Sequence, residues 1–273
     1  MSMLFKVFSP PAELKTYVHS IQIMEVDKSE NSGRNKIVPY GYAGLLLHYK
    51  DPCVQTDRIN GKRLLPQAFV TGLTDQPIII EALGNIGTIA VNFYPLGLYH
   101  FLRSAVYEFT NSTVDGTELL GPEIIQLRAS IMLTSSIYEK IDLVNRFLVR
   151  KLGNIDFRNS RKIEYAQNAL IASKGIINIA QLSKESGLSL SSLERQFRKQ
   201  IGFSPKYYAR ILRFDYVFKL KQMPGDVNWQ DIVFQAGYHD QAHFIKEFSK
   251  FAGEPPKGFF LHHLFSSRFY SGK

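Results

Sequence analysis

Residues 187–205 read GLSLSSLERQFRKQIGFSP, and residues 237–256 read GYHDQAHFIKEFSKFAGEPP. The two stretches repeat one pattern at a shift of 51 residues, with matching positions at Phe197 and Phe248, Gly202 and Gly253, and Pro205 and Pro256. A repeat of this kind usually marks one structural unit per copy. Each copy has the pattern of a helix, a glycine turn and a second helix rich in basic residues. This order is typical of a helix-turn-helix motif, whose second helix enters the major groove of DNA.

The positive charge of the chain is concentrated in the part that carries the repeat. Residues 1–157 hold 15 Lys and Arg against 15 Asp and Glu, and residues 158–273 hold 18 against 9. The net charge of +9 therefore lies entirely in the C-terminal part. A basic domain joined to a neutral one favours a polyanionic partner such as nucleic acid. The alternative is an ordinary solvated basic surface, and the repeat at the same place argues against it.

Length and cysteine content limit the class of protein. The chain has 273 residues, enough for one large or two ordinary domains, and its apolar runs are far shorter than the roughly 20 residues that span a bilayer. Neither a secretory signal nor a membrane partner is expected. Cys53 is the single cysteine, so an internal disulfide is excluded and a cysteine zinc site would lack ligands. We expect a cytoplasmic protein without a cofactor.

The first 105 residues predict an antiparallel β-structure. Short apolar stretches alternate with turn signals, and this pattern is typical of a sandwich or barrel. The predicted strands lie at 21–24, 44–49, 68–70, 78–80 and 88–93. Asn60-Gly61 predicts a hairpin with a two-residue turn, because both residues tolerate positive φ.

Helices are predicted from about residue 117 to 152. Pro122 suits the first position of one helix, and Ser135 or Ser136 can cap the next. Lys151 to Asn154 has the pattern of a helix C-terminus, with a base in the last turn and glycine after it. We therefore place the domain boundary near residue 155, which gives domains 1–155 and 156–273.

The C-terminal domain is predicted to hold about seven short helices and no strand. Caps are expected at Asn178, Ser189, Asp240 and either Asp226 or Asn228. Ser204-Pro205 begins a long helix, ended by Pro224-Gly225, of roughly 27 Å at about 1.5 Å per residue. Such a strut can hold two recognition helices about 34 Å apart, which is one turn of DNA.

Candidate DNA-binding residues occupy the exposed side of each predicted recognition helix. In the first unit they are Ser191, Ser192, Glu194, Arg195 and Arg198, with the capping Ser189 beside them; in the second they are Gln241, Ala242, His243 and Lys246. Arg can bond guanine through two hydrogen bonds, Glu can accept from cytosine, and Ala can contact the thymine methyl group. Arg198, Lys199 and Lys250 also fit an alternative role, contact with phosphate or solvent alone, which we favour for the two lysines.

Residues 160–263 resemble the DNA-binding domain of the AraC/XylS family of transcription regulators, which has two helix-turn-helix units joined by a long helix. The resemblance is carried by 182–187, 193–199, 202–205, Arg213, 231–232, 237–238, 243–244, 248–250, Gly253 and 255–256. By position it implies base-facing roles for Ser191, Glu194, Arg195, Ala242, His243 and Lys246. The family usually has a small residue four positions before each turn glycine. Here these positions hold Ser183 and Val233, and the larger Val233 predicts a slightly wider second crossing.

The N-terminal part resembles the uncharacterised β-rich domain that precedes some AraC-type regulators. The matching residues include Pro10-Pro11, Leu14, Tyr17-Val18, 38–41, Gly72-Leu73, 91–95 and Gly97. Such domains are regarded as cupin-like sensors. The resemblance implies a sensory or dimerising role and identifies no ligand.

An enzymatic N-terminal domain has little support in the sequence. His19, His48 and His100 are too widely separated for the His-x-His metal site of a cupin. We expect His48 to be a barrel histidine with satisfied hydrogen bonds, and Cys53 to be a structural cysteine in a loop, at the surface or half-buried. A phosphate loop and a dinucleotide motif are both absent from the sequence.

The sequence thus predicts an α+β protein of two domains, an antiparallel cupin-like β-barrel with linking helices followed by an all-α DNA-binding domain. The predicted function is sequence-specific transcription regulation and not catalysis. The partners are double-stranded DNA at a promoter or operator, a small-molecule effector, a second copy of the chain and RNA polymerase. Two alternatives stay open: a small-molecule-binding or enzymatic barrel with an accessory nucleic-acid domain, and a non-specific nucleic-acid binder, whose affinity would depend on salt but hardly on sequence.

Overall fold

The structure, a computed structural model, describes residues 3–30, 33–59, 61–152, 160–221 and 228–262. Its N-terminal part contains ten strands, in chain order β1 Leu4–Phe8, β2 Val18–Val26, β3 Arg34–Ile37, β4 Ala43–His48, β5 Cys53–Asp57, β6 Gly61–Leu64, β7 Ala68–Thr71, β8 Ile78–Ala82, β9 Ile86–Phe93 and β10 Thr113–Asp115. The α+β two-domain fold class is confirmed.

The strands form two antiparallel sheets. The larger has the order β1-β2-β9-β4-β7-β10, and the smaller has the order β3-β8-β5-β6. β9 is buried at all eight positions, because it lies inside the larger sheet between β2 and β4. The Thr113 hydroxyl at the edge of the larger sheet donates to Gln55 Oε1 of the smaller sheet over 3.2 Å. The two sheets thus face each other with the small cluster of Cys53, Leu65 and Phe69 between them, whereas the main N-terminal core covers the opposite face of the larger sheet.

All five predicted strands are present, and two local predictions need correction. Asp57 pairs with Gly61, so the predicted hairpin exists with three residues between the paired positions, where two were expected. Asn60 itself lies outside the described residues. Cys53 is the first residue of β5 and only 2% exposed, because its strand lies inside the smaller sheet; the prediction of a loop cysteine is wrong.

Four helices complete the N-terminal core: α1 Pro95–Leu102, α2 Gly116–Leu120, α3 Pro122–Leu133 and α4 Ile137–Leu152. Ile124, Leu127 and Ile131 form the buried face of α3, as its helical periodicity predicts. Together with Val144 and Phe147 of α4, they belong to the hydrophobic cluster that covers one face of the larger sheet. The predicted stop at Gly153-Asn154 lies outside the described residues, as does residue 155, so the domain boundary stays a prediction.

The described C-terminal part contains seven helices: α5 Arg161–Ala172, α6 Ile179–Glu185, α7 Leu190–Ile201, α8 Pro205–Lys221, α9 Trp229–Gln235, α10 Gln241–Ala252 and α11 Pro256–His262. Their number agrees with the prediction. The 17 residues of α8 make it roughly 26 Å long. Pro224-Gly225 and Asp226, predicted as stop and cap, lie outside the described residues. Within the described part of the chain, helices of the length and apolarity that a membrane span requires are absent.

The two parts of the chain share their hydrophobic cores. Val38 is fully buried in the cluster formed by α8 to α11. Leu73 and Leu96 are buried in the cluster formed by α5 to α8. The C-terminal helices therefore rest on surfaces that the N-terminal part supplies.

Candidate nucleic-acid interface

The two helix-turn-helix turns have the same backbone hydrogen bonds. In the first, Gly187 N donates to Lys184 O over 3.1 Å and Leu188 N donates to Ser183 O over 3.1 Å. In the second, the matching bonds run from Gly237 to Phe234 and from Tyr238 to Val233, both at 3.0 Å. Both glycines have left-handed φ values, 64° and 71°, which glycine adopts without steric cost. The larger Val233 therefore leaves the hydrogen bonding of the second turn unchanged.

The turns differ in length and in the residue that caps the following helix. Ser189 follows Gly187 by two residues and accepts a hydrogen bond from Ser192 N over 3.3 Å. Asp240 follows Gly237 by three residues and accepts from His243 N over 2.7 Å. This bond, followed by the one to His239, lowers the pKa of Asp240 below its usual value. Both predicted caps are confirmed, and the extra residue explains why the glycines are 50 residues apart while the helices repeat at 51.

The first recognition helix, α7, buries its apolar stripe and exposes its predicted polar residues. Leu193, Phe197 and Ile201 are fully buried. On the other side, the exposed residues are Ser189, Ser191, Glu194, Arg195 and Arg198. Ser192 is half-buried, and its hydroxyl accepts a hydrogen bond from Gln196 Nε2 over 3.0 Å. Ser192 is thus less free to bind a base than its exposed neighbours.

The second recognition helix, α10, exposes all four of its predicted residues. Gln241, Ala242, His243 and Lys246 face solvent, while Phe244, Phe248 and Phe251 are buried. The His243 ring lies edge-on to Tyr238, with 5.5 Å between the ring centroids. Its position is therefore partly fixed before any ligand binds.

A buried carboxylate joins α10 to the long helix α8. Glu247 is 4% exposed, and its Oε2 accepts from Arg210 Nε over 2.7 Å. Its Oε1 lies 3.5 Å from Nη2 of Arg213. Two guanidinium groups offset the cost of burying one carboxylate. Arg213 is one of the residues that carry the family resemblance, but its contact with Glu247 is not evident from the sequence.

The N-terminal part contacts the C-terminal end of the first recognition helix. A cleft of about 720 Å³ lies between them, and Arg195, Arg198 and Lys199 line it on one side. Tyr107, which is 54% exposed, lines it on the other. An open cleft with three cations suits a phosphate group. No local sequence pattern points to Tyr107, because only the tertiary fold brings it to α7.

Two buried hydrogen bonds help to hold the N-terminal part against the helices around the first unit. Oε1 of Gln167 in α5 accepts a buried hydrogen bond from Leu96 N over 2.9 Å. This bond satisfies a backbone N–H group in the first turn of α1, which has no acceptor within the helix. The Tyr208 hydroxyl on α8 donates to Gly41 O over 2.9 Å. A Cβ atom added to Gly41 would lie 2.6 Å from Leu212 Cδ2, so the backbone of residues 38–42 lies directly against α8.

A cavity of about 120 Å³ lies between the two sheets of the N-terminal part. Residues of both sheets line it, among them Met24, Leu46, His48 and Phe69 of the larger sheet and Ile37 and Ile80 of the smaller. Tyr40 and Tyr42 of the 38–42 segment also line it. The cavity and α8 therefore both contact this short segment. Clusters of three or more His, Cys, Asp or Glu that could hold a metal do not occur among the described residues.

Comparison with known proteins gives two family-model matches. Residues 182–261 match a helix-turn-helix domain, and residues 6–115 match a domain of unknown function. Curated proteins give no match.

Several solved structures are similar over most of the chain at low identity. ToxT from Vibrio cholerae is 13% identical, with 88% of this chain and 97% of that chain covered and a TM-score of 0.49. Its unsaturated fatty acid-bound form is also 13% identical, with coverages of 96% and 95% and a TM-score of 0.48. The AraC-like transcriptional activator CuxR is 14% identical, with coverages of 77% and 93% and a TM-score of 0.27. The family models thus identify residues 182–261 as a helix-turn-helix domain, which follows a domain of unknown function.

Proposed function

We propose that the chain reads a specific DNA sequence with both recognition helices, α7 and α10, and that its N-terminal domain senses a small molecule. The observation that carries the DNA-binding part is the pair of turns with matching hydrogen bonds, each followed by a helix with an exposed polar side. In helix-turn-helix proteins this side meets base edges near the helix N-terminus. Arg195 and Glu194 on α7, and His243 on α10, are the side chains to which we assign base contacts.

The long helix α8 supports the use of two half-sites. At roughly 26 Å it separates the two units by a distance comparable to one turn of DNA, about 34 Å. We infer that both helices enter successive major grooves on one face of the duplex. Lys199 and Lys250 then contact phosphates, in keeping with their exposure at the ends of the recognition helices.

Selection from a random duplex pool tests this function directly. The full-length protein, at about physiological salt, should enrich a motif with two half-elements about 10 base pairs apart. Salt-sensitive binding without an enriched motif would contradict base recognition, because contacts to phosphate alone carry no sequence information.

The 38–42 segment supports a route from the N-terminal cavity to the DNA-binding helices. Tyr40 and Tyr42 line the cavity, and Gly41 contacts Tyr208 and Leu212 of α8. A ligand that displaces the tyrosines would push on the helix that joins the two units. Coupling of this kind is reciprocal, so the ligand and DNA must change each other's affinity by the same factor.

A graded series at Gly41 tests the route. Gly41→Ala needs only a small shift of the flexible end of Leu212, whereas Gly41→Leu pushes a whole side chain into α8. We expect DNA affinity to change several-fold in Gly41→Leu and little in Gly41→Ala, since neither touches a recognition helix. Equal affinities in all three proteins would exclude the segment as the route.

Self-association is the second proposed role of the N-terminal domain. Four apolar side chains on α3 and the start of α4 are more than half exposed: Ile125, Met132, Leu133 and Tyr138. An exposed group of this kind favours a protein partner, and we assign it to a second copy of the chain. Sedimentation velocity should show a dimer that Leu133→Lys weakens; a monomer at all concentrations would contradict this assignment.

A further inference from the structure

One residue that lines the cavity between the two sheets has a fully buried polar atom that the fold leaves without a partner. Most polar side chains in its wall are already bonded within the protein, as Gln55 is to Asp57 and Thr113, and Thr71 to Gly72. Among the described lining residues, His48 is the one with a fully buried polar atom that lacks a partner. It is 6% exposed, its Nδ1 is 2.8 Å from Thr88 Oγ1, and its Nε2 has no hydrogen-bond partner.

An unsatisfied buried nitrogen is costly, and native proteins rarely keep one without a reason. The expectation that His48 is fully satisfied is therefore correct for Nδ1 and wrong for Nε2. Burial, and to a smaller extent the Arg128 charge, lowers the pKa of His48 to about 4. At neutral pH the ring is uncharged and can accept or donate one further hydrogen bond.

The remaining wall limits the chemistry of an occupant. Asp, Glu, Lys and Arg are absent from the described residues that line the cavity, so a charged ligand would be buried without a counter-ion at high cost. Aromatic rings are present at Tyr40, Tyr42 and Phe69, and the Phe69 ring centroid lies 5.4 Å from that of His48. Such a wall favours a flat apolar body.

The volume of the cavity limits the size of the molecule that can occupy it. The cavity measures about 120 Å³, and an apolar cavity of roughly 150 Å³ is known to bind benzene. A single six-membered ring is therefore near the upper limit for the space as it stands.

We propose that this cavity binds a small uncharged ring compound with one hydroxyl group, which forms a hydrogen bond to His48 Nε2. A hydroxyl suits either tautomer of the ring, because it both donates and accepts. The proposal deepens the sensing role proposed above by naming the chemical class of the effector. It gives His48 the role of a specificity-determining residue, and Tyr40 and Tyr42 the role of contacts through which occupancy reaches α8.

Three probe molecules of similar size separate the contributions of the hydroxyl group, the apolar ring and a negative charge to binding. Isothermal titration calorimetry of the full-length protein at pH 7 would use phenol, toluene and benzoate. Phenol should bind about tenfold more tightly than toluene, the difference expected for one buried hydrogen bond. Benzoate should bind most weakly, since its charge is not compensated. Equal affinity for phenol and toluene, or tighter binding of benzoate, would overturn the proposal.

His48→Phe tests the assigned atom, because it keeps a ring and removes the nitrogen. The variant should still bind toluene and should lose the preference for phenol. His100→Phe is the matched control, since His100 is also buried but is not among the residues that line the cavity. A phenol preference that survives in His48→Phe would exclude Nε2 as the partner.

Two further measurements keep the test decisive. Ala82→Leu adds three carbons to the cavity wall and should abolish binding of all three probes, with circular dichroism to confirm folding; undiminished binding would place the site elsewhere. If His48→Phe fails to fold, the ¹⁵N shift of His48 Nε2 in the wild-type protein gives the same information. Phenol should move it and toluene should not.

Failure of this inference can be distinguished from failure of the proposed function. An enriched DNA motif without phenol binding would leave the regulator intact and remove only the hydroxyl-ring effector. Phenol binding that depends on His48 would establish the site whatever the DNA selection gives, because calorimetry needs no DNA.

Discussion

The first helix-turn-helix unit, α6 and α7, and the second, α9 and α10, are supported by different parts of the molecule. The first has a mainly aliphatic core that includes Leu73 and Leu96 from the N-terminal part. The second has an aromatic core, in which ring contacts link Phe244 through Phe248 to Phe214 and Phe218, and the buried Glu247 joins α10 to α8.

The positions of the two units therefore depend to different degrees on the N-terminal part. The position of α7 depends on α1 and on the short helix at 106–109, both of which belong to the N-terminal part. The position of α10 depends mainly on contacts inside the C-terminal helices, with Val38 and the Lys36–Glu254 ion pair added from the N-terminal part. A change in the N-terminal domain should therefore shift the first unit more than the second.

The largest expected effect is on the second unit. Glu247→Ala leaves Arg210 and Arg213 without their buried partner, and the free energy of unfolding should fall by about 3 kcal/mol. Urea denaturation gives this value. The control is Asp142→Ala, which breaks an exposed ion pair with Arg146 and should cost well under 1 kcal/mol. Similar losses in the two variants would mean that Glu247 does not hold α10.

The next effect concerns DNA recognition. Arg195→Ala on α7 should weaken specific binding by roughly 1–3 kcal/mol and relax the preference at one base pair. Arg146→Ala removes the same charge from the surface of α4 and should leave both unchanged. Fluorescence anisotropy on a panel of single-base variants measures both quantities. Uniform weakening across the panel would show that Arg195 contacts phosphate.

Lys246→Ala extends the same comparison to α10. A base contact by Lys246 should relax the preference at one base pair of the second half-element on the same panel. Uniform weakening across the panel would show that Lys246 contacts phosphate.

A smaller effect is expected where the N-terminal part holds the first unit. Gln167→Leu removes the acceptor for Leu96 N, which stays buried, and should cost about 1–2 kcal/mol in unfolding free energy. Hydrogen exchange should rise in α1 and α5 but not in α10. Equal acceleration in α10 would mean that the two units are not supported separately.

The smallest effects on stability are expected from the two helix caps, Ser189 and Asp240. Ser189→Ala should lower stability by about 0.5–1 kcal/mol, through loss of its bond to Ser192 N. Asp240→Ala should cost more, because its bond to His243 N is shorter and charge-assisted.

The two caps also differ in their pH dependence. The pKa of Asp240 is lower in the folded protein than in the unfolded chain, so the unfolded chain takes up the proton first as pH falls. The stability that this carboxylate contributes is present above its unfolded pKa and is lost as pH falls through its lower folded pKa. Acid titration of the wild-type and Asp240→Ala proteins should therefore converge at low pH, whereas Ser189→Ala should stay parallel to the wild type.

Local patterns in the sequence predict the C-terminal domain well. A cap, an apolar stripe and a turn glycine each depend on near neighbours, so Ser189, Leu193 and Gly187 predict one helix-turn-helix before any contact is known. The exposed side of α7 follows by elimination from its buried stripe. This is why the candidate DNA-binding residues proved to be exposed, with Ser192 only half so.

The N-terminal domain is less predictable, because its signals are tertiary. β3 and β6 are edge strands of the smaller sheet with sequences RNKI and GKRL, and neither shows an apolar alternation. In α1, six of eight residues are buried, so helical periodicity is hidden. Tyr107 and Gln167 gain their roles only when the two parts of the chain meet, and the cavity beside His48 exists only between two sheets.

The burial of Val38, Leu73 and Leu96 among C-terminal side chains bears on how the two parts of the chain can be recombined with parts of other proteins. A hybrid that joins this N-terminal part to another helix-turn-helix domain at the predicted boundary near residue 155 would leave these apolar side chains facing a surface that did not evolve with them. Under the sensing role proposed above, transfer of effector response between proteins should therefore require exchange of the 38–42 segment together with the matching side of α8, and a cut at the predicted boundary alone should give an insoluble or unresponsive hybrid.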